Sequence, residues 1–355
     1  MSSPMNYQDF VASIDQNRVH FVSGKSHAIK GLSVFHQAVY ALETSGSVQS
    51  KIYLHDLNSI RGACLSFFDT FRMNENDRWG LCLPTSHVAG FSVLARTYFG
   101  NLKEPYLFDW DKEKLISEIK ANQVTVLSLV PTQIYDLIQM SQRPPESLRM
   151  VFVGGAKLSK ELREKAISLG WPIIECYGST ETFAQMSYSL NGGVFKAFKG
   201  WSVKIEEDEI CLSGPGLFIG KVQNGVFRSQ KNIWFKTGDL GLIDEEGFAV
   251  KGKKGGLIKI KGSYFDFNKL KSQFLNFIID EGLSPSQYFL VCLKEKRDGA
   301  GVYIVSTSKK LSPKLMEAFP EIRGIFYLKS VERSGLGKIK SSSLSNDLKK
   351  TVLSL

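Results

Sequence analysis

Between residues 124 and 176, short apolar runs alternate with stretches whose apolar positions recur every three or four residues. Residues 124–130 are β-branched and apolar with little interruption, which is the composition of a buried strand. Pro131 follows; proline suits the first turn of a helix, where its missing N–H leaves no bond unmade. Residues 149–153 form a second strand-like run that stops at Gly154 and Gly155. Ser159 is then placed to cap a helix whose Leu162, Ala166 and Leu169 share one face, and Gly170 is placed to end it. Residues 171–176 return as a strand and lead into a loop that begins at Tyr177. This rhythm predicts parallel strands covered by helices. Sheets of that kind take ligands at the carboxyl ends of their strands, where the loops at 154–155 and 177–181 fall.

The pattern changes near residue 250. Residues 251–261 concentrate lysine and glycine, and the adjacent Gly255 and Gly256 have no side chain to restrain backbone rotation. A linker is the expected reading. Beyond it the pattern predicts a helix over 267–279 and strands over 288–293, 301–306 and 325–328. The expected fold class is therefore α/β. A large first domain over 1–251 carries mostly parallel sheets and helices. A hinge at 252–256 joins it to a small, mobile α+β domain over 257–355. No internal repeat, heptad array or low-complexity tract is present.

Composition narrows the classes of function. At 355 residues the chain has material for two or three domains with real cores. Its 43% hydrophobic and 23% charged residues are those of an ordinary globular protein, which excludes a disordered or fibrous chain. The net charge of +10 favours polyanionic partners, among them nucleic acid, ATP and coenzyme A. The basic residues are scattered along the chain rather than gathered in one block, so nucleic acid is not the expected partner. The five cysteines contain no CxxC pair, which argues against a zinc knuckle or redox motif and for reduced core thiols. With no signal-peptide run and no apolar stretch near the ~18 residues that span a bilayer, the expectation is a cytoplasmic protein without membrane insertion.

Six short segments carry the chemistry, and their order is as informative as their content. They are residues 44–51 (TSGSVQSK), 83–90 (LPTSHVAG), 153–158 (VGGAKL), 177–181 (YGSTE), 236–241 (KTGDLG) and 335–339 (GLGKI). In the first, small hydroxyl residues around Gly46 let backbone N–H groups and side-chain donors converge on phosphate oxygens, and Lys51 adds a point charge. Taken singly, each has a plain alternative: a solvated serine-rich turn, a structural histidine, an ordinary β–α loop, a turn aspartate or a lysine in a basic tail.

In this order the six segments resemble the adenylate-forming superfamily of acyl-CoA synthetases. The resemblance covers about residues 40–345. It implies ATP, Mg²⁺ and coenzyme A as cofactors and a small carboxylic acid as substrate, with a homodimer as an assembly open to the chain. It implies that Thr44, Ser45, Gly46, Ser47 and Lys51 hold phosphate. Gly154, Gly155 and Ala156 would lie against adenine and the acyl group, Tyr177 and Gly178 beside adenine. Thr180 would offer a hydroxyl to phosphate, and Glu181 would hold Mg²⁺. His87 would orient the substrate carboxylate or phosphate charge, with Gly155 and Ser179 also facing substrate. Asp239 would accept from the ribose hydroxyls, and Lys253 stands where the superfamily has an arginine. Lys338 would be the mobile lysine that bridges carboxylate and α-phosphate. Lys259, Lys261 and Gly262 would line the thiol path after the second domain turns about Gly255 and Gly256. The chain departs from the pattern in three places. The phosphate loop lacks its second glycine and its proline, Lys253 replaces arginine, and Gly255 replaces the hinge aspartate.

Residues 87–96 (HVAGFSVLAR), 127–133 (LSLVPTQ) and 177–185 (YGSTETFAQ) are most similar to the o-succinylbenzoate–CoA ligases of menaquinone biosynthesis. In comparison with the superfamily, little chain precedes the phosphate loop. Arg96 is a candidate partner for the second carboxylate of such an acid; an arginine on a helix surface is the plainer reading. Two other functions stay open at this point. One is a ligase for a different acid or for a carrier-protein thiol, and the other a degenerate, non-catalytic nucleotide-binding protein.

Overall fold

The structure, a computed structural model, describes residues 4–23, 37–44, 51–254, 257–260, 263–295, 299–309 and 314–331. These divide into two compact units. One holds the described residues through 44 together with 51–237 and 241–250, and the other holds 238–240 and those from 251 onward.

The first unit is built on a seven-stranded sheet. Its strands run in the spatial order Lys103–Leu107, Arg78–Leu81, Val126–Leu129, Met150–Val153, Ile173–Ser179, Ala184–Ser189, Lys196–Ala197. The first five are mutually parallel, and each of the last two pairs antiparallel with the strand before it. Every residue of Val126–Leu129 and Met150–Val153 is buried, which is why these strands are unbroken apolar runs rather than alternating ones. Helices Leu57–Thr70, Val88–Phe99 and Lys160–Ser168 pack on this sheet. Pro131 does open the helix Pro131–Gln139, and Ser159 Oγ accepts from Leu162 N–H at 3.2 Å as the cap of a second helix, Lys160–Ser168. Gly170 ends that second helix with φ +90°. One strand is longer than expected: Ile173–Ser179 runs on through Tyr177 and Gly178, because Ala184–Ser189 folds back to pair with it.

A five-stranded sheet follows the order Val19–Phe21, Val39–Glu43, Ile52–Asp56, Gly220–Gln223, Val226–Ser229. Val39, Ala41, Ile52 and Leu54 form an apolar cluster with Val222 on one face. Side chains alternate along a strand, so Tyr53 and His55 lie on the opposite face. A third sheet orders Ser202–Glu206, Glu209–Ser213, Phe235–Ile243, Phe248–Lys253. Parallel pairing therefore dominates the central sheet only.

In the second unit, strands Ser263–Asp266, Leu257–Ile260, Gly299–Ser306, Tyr288–Glu295 and Ile322–Tyr327 form one sheet. The helix Phe267–Asp280 packs Phe267, Leu270, Phe274 and Ile278 into its core. The stretch read as a linker is mostly strand: residues 251–253 finish Phe248–Lys253, and Leu257–Ile260 follows. Of the expected hinge, 255 and 256 lie outside the described residues. Among the described residues no helix is long and apolar enough to cross a membrane.

Candidate functional site

The strand Ile52–Asp56 starts directly after Lys51, and two of its side chains reach the turn formed by Thr180–Thr182. Tyr53, 4% exposed, lies beside the Glu181 carboxylate. Burial, and then the Glu181 charge, raise the phenol far above its usual pKa, so it stays protonated. His55 is wholly buried, with Nε2 2.8 Å from the carbonyl oxygen of Thr180. A carbonyl only accepts, so Nε2 carries the proton. Nδ1 has no partner among the described residues. Burial pushes the imidazole down to about 4, against the opposing effect of the Thr180 bond, so the ring is neutral at pH 7. Phe183 meets it edge-on, with centroids 5.4 Å apart.

The turn itself is closely tied. Ser179 N–H donates to Thr182 Oγ1 at 2.9 Å, Thr182 Oγ1 donates to the Ala184 carbonyl at 2.8 Å, and Phe218 N–H donates to the Glu181 carbonyl at 3.0 Å. The next two residues, Phe183 and Ala184, both have left-handed backbones, with φ of 52° and 72°. Each such non-glycine position costs about 1–3 kcal/mol and persists only where the surroundings hold it. Gly178 is required sterically, since a Cβ there would lie 1.9 Å from the Ala184 carbonyl oxygen.

The carboxyl ends of the parallel strands bring the other candidates to the same edge of the central sheet. Gly154 N–H donates to Leu129 O at 3.2 Å, and Gly155 turns the chain with φ +81°. Ala156 is exposed. The Tyr177 ring packs edge-on to Phe248, centroids 5.6 Å apart. His87, half-buried, stands at the N-terminus of the helix Val88–Phe99 without capping it through its side chain.

Arg96, on that same helix, corrects the plainer reading: it is 1% exposed rather than on the helix surface. Its guanidinium carbon lies 4.0 Å from the centroid of the Phe67 ring. Nε, Nη1 and Nη2 are all buried without a hydrogen-bond partner among the described residues. Burial pushes its pKa down to about 10, which leaves it a cation at pH 7. Its electrostatic neighbours Cys64 and Cys176 are raised to about 12 by burial, so both are neutral thiols and neither supplies a counter-charge. The Trp79 indole N–H and the Ser128 hydroxyl are also buried and unpartnered. Both border the same ring cluster: Trp79 and Phe67 each contact Phe152, and Ser128 is the cross-strand neighbour of Phe152. An unpaired guanidinium in such a setting costs several kcal/mol and calls for an anion.

The remaining candidates are placed as follows. Thr44 and Lys51 close the base of the hairpin, with Thr44 N–H donating to Lys51 O at 2.9 Å. In the second unit, Lys253 Nζ lies 2.8 Å from Asp239 Oδ1. Lys259 is within the strand Leu257–Ile260. Ser45, Gly46, Ser47, Lys261, Gly262 and Lys338 lie outside the described residues. No cluster of three or more His, Cys, Asp or Glu among the described residues could hold a metal unaided. A lone carboxylate such as Glu181 fits Mg²⁺, which keeps most of its shell as water and phosphate oxygen. Tyr53 and His55 were not singled out from the sequence. Their signal was the alternation of polar-tipped residues at two-residue spacing in an otherwise apolar strand.

Comparison with known proteins bears on the family and the fold. The family model described as AMP-binding enzyme matches residues 44–220. The 2-succinylbenzoate–CoA ligase of Bacillus licheniformis is 32% identical over 195 residues, which are 50% of this chain and 41% of that protein. Its counterpart in Bacillus subtilis is 26% identical over 267 residues, 68% of this chain and 54% of that one. The chain thus spans about half the length of the curated relatives it matches. Among solved structures, the o-succinylbenzoate coenzyme A synthetase of Bacillus subtilis in complex with AMP has the same fold, with a TM-score of 0.71 and 24% identity. The match covers 86% of this chain and 69% of that one.

Proposed function

We propose, for a chain whose residues 44–220 belong to the AMP-binding enzyme family, that it activates o-succinylbenzoate as an acyl-adenylate and passes the acyl group to the thiol of coenzyme A. Arg96 carries the choice of acid. It is a buried cation with no protein anion beside it among the described residues, and a dicarboxylate has a second carboxylate to offer while the first one reacts. The curated relatives, named as 2-succinylbenzoate–CoA ligases, support the same acid.

In the first half-reaction a carboxylate oxygen attacks the α-phosphorus of ATP and pyrophosphate leaves. This displacement needs positioning and charge neutralisation, and no protein nucleophile. Glu181 would hold Mg²⁺, whose charge when bound offsets that of the phosphates. The protonated Tyr53 phenol lies beside the Glu181 carboxylate, and His55 holds the Thr180 backbone through a hydrogen bond to its carbonyl. Gly154, Gly155 and Ala156 give a flat ligand close approach, and Tyr177 offers its ring to adenine. His87 and Ser179 face the acid. Asp239, steadied by Lys253, accepts from the ribose diol. Thr44, Ser45, Gly46, Ser47 and Lys51 cradle the leaving phosphates, and Lys338 bridges the reacting carboxylate and the α-phosphate. In the second half-reaction Lys338 withdraws on rotation about residues 252–256, and Lys259, Lys261 and Gly262 guide the thiol. The proposed location is the cytoplasm, where ATP and coenzyme A are supplied.

The test is pyrophosphate release from ATP and Mg²⁺ across a panel of carboxylic acids, with and without coenzyme A. A response to o-succinylbenzoate with its thioester as product is expected. Release with other acids only would discard this acid and keep the ligase. ATP binding without release from any acid would leave a nucleotide-binding homologue.

A further inference from the structure

A cleft of about 740 Å³ opens in the first unit, and its lining includes none of the nucleotide candidates on the carboxyl-end loops. Its floor is aromatic. Tyr53, Phe218 and Phe235 meet edge-to-face in series, with centroids 4.9 Å and 5.3 Å apart. Its rim is basic, with Lys204, Lys221, Lys231 and Lys236 set against the single carboxylate Glu206. That carboxylate is shared by Lys204 at 2.5 Å and Lys236 at 3.4 Å. Lys204 also lies 4.3 Å over the face of Trp234. Lys221 and Lys231 make no ion pair among the described residues and are exposed. A rim with this surplus of positive charge suits a compact, multiply charged anion rather than an apolar ligand.

One residue joins the cleft to the adenylation turn. Tyr53 lines the cleft and lies beside Glu181. Lys221 is the cross-strand partner of Tyr53, so both side chains project from the same face of the sheet. A diphosphate that leaves the neighbourhood of Glu181 has this basic rim within one side chain's reach.

We propose that the cleft lined by Lys204, Lys221, Lys231 and Lys236 is a diphosphate-binding site that adjoins the adenylation turn through Tyr53. The proposal rests on the reading of Glu181 as the phosphate-side carboxylate and extends it, since nothing in that reading uses these lysines. The diphosphate has two sources in the reaction, the pyrophosphate product and the diphosphate of coenzyme A.

The experiment titrates the full chain with inorganic pyrophosphate and, separately, with coenzyme A, by calorimetry and without any acid. The variants are the double substitutions K221A/K231A and K221R/K231R. The lysine-to-alanine pair is expected to weaken binding of one of the two ligands at least about tenfold, the loss of two charge-assisted contacts. The arginine pair, which keeps the charge, is expected to hold binding within about twofold. A change confined to pyrophosphate assigns the cleft to the leaving group, and one confined to coenzyme A assigns it to the thiol substrate. Binding of both ligands unaltered in a K221A/K231A protein of native melting temperature overturns the proposal, as does the absence of binding to the native chain. Because binding is read without turnover, a chain that released no pyrophosphate from any acid would still answer this question, so the two ideas fail separately.

Discussion

His55 and Arg96 are the two buried side chains whose charge states matter most. The His55 ring is held neutral, its pKa lowered by burial from 6.5 to about 4. As pH falls below 6.5 the unfolded chain binds a proton that the folded chain refuses, so stability drops by about 1.4 kcal/mol per pH unit until about pH 4. His55→Gln keeps a donor for the Thr180 carbonyl and removes the titration. Its urea-unfolding free energy should lack this slope between pH 6.5 and 4. An unchanged slope would mean that His55 is solvated. Arg96→Met should separate stability from function. Replacing an unpaired buried cation with an apolar chain of similar size should raise unfolding free energy by about 1–4 kcal/mol. It should also raise the KM for the acid at least about tenfold, through loss of a charge-assisted contact. A destabilised Met variant would indicate that the guanidinium already has an anion in the resting protein. The arginine's burial was not legible in the sequence. Every residue from Gly90 to Thr97 is buried, so this stretch of the helix has no solvent face for periodicity to mark.

At the scale of elements, the parallel run of the central sheet was readable because its strands are buried on both faces and its helices carry ordinary caps. The antiparallel return was not. It depends on two left-handed residues, Phe183 and Ala184, that neither side chain would advertise. The hairpin explains the glycine in the turn motif without reference to any ligand. Gly178→Ala would drive a Cβ to within 1.9 Å of the Ala184 carbonyl. It should lower unfolding free energy by more than about 2 kcal/mol, visible as a fall in melting temperature. A variant with native melting temperature would show that the strand can slide, and the tie between Thr180–Thr182 and its neighbours would then be looser than described. Where residues 251–261 read as linker, Lys251, Gly252 and Lys253 in fact lie within the strand Phe248–Lys253 at the edge of its sheet, where exposed lysine is tolerated.

At the scale of the whole molecule, the chain folds as two units. Among the described residues, the candidates for the first half-reaction within 44–220 lie in the unit that carries the central sheet. The proposal assigns the two half-reactions different partners in the second unit. Lys338→Ala should therefore reduce acid-dependent ATP–pyrophosphate exchange by about a hundredfold or more, the scale for loss of a charge-stabilising donor. Conversion of supplied acyl-adenylate to thioester should stay largely intact. Equal loss in both steps would remove Lys338 from its assigned role. The proposed division of labour rests on the sequence motifs, whereas Tyr53 and the lysine-rimmed cleft depend on which strands become neighbours, and Lys221 is far from Tyr53 along the chain.

The buried thiols have a practical consequence. Cys64, Cys211 and Cys292 are enclosed, and Cys64, Cys82 and Cys176 are pushed up to about 12 by desolvation. Reactivity follows the thiolate, and at pH 8 a thiol of that acidity is ionised to only about one part in ten thousand. In an assay mixture the free sulfhydryl of coenzyme A would then be the one that a colorimetric disulfide reagent consumes quickly. Loss of colour yield over time would report thioester formation directly, with little background from the folded enzyme and no need for coupling enzymes.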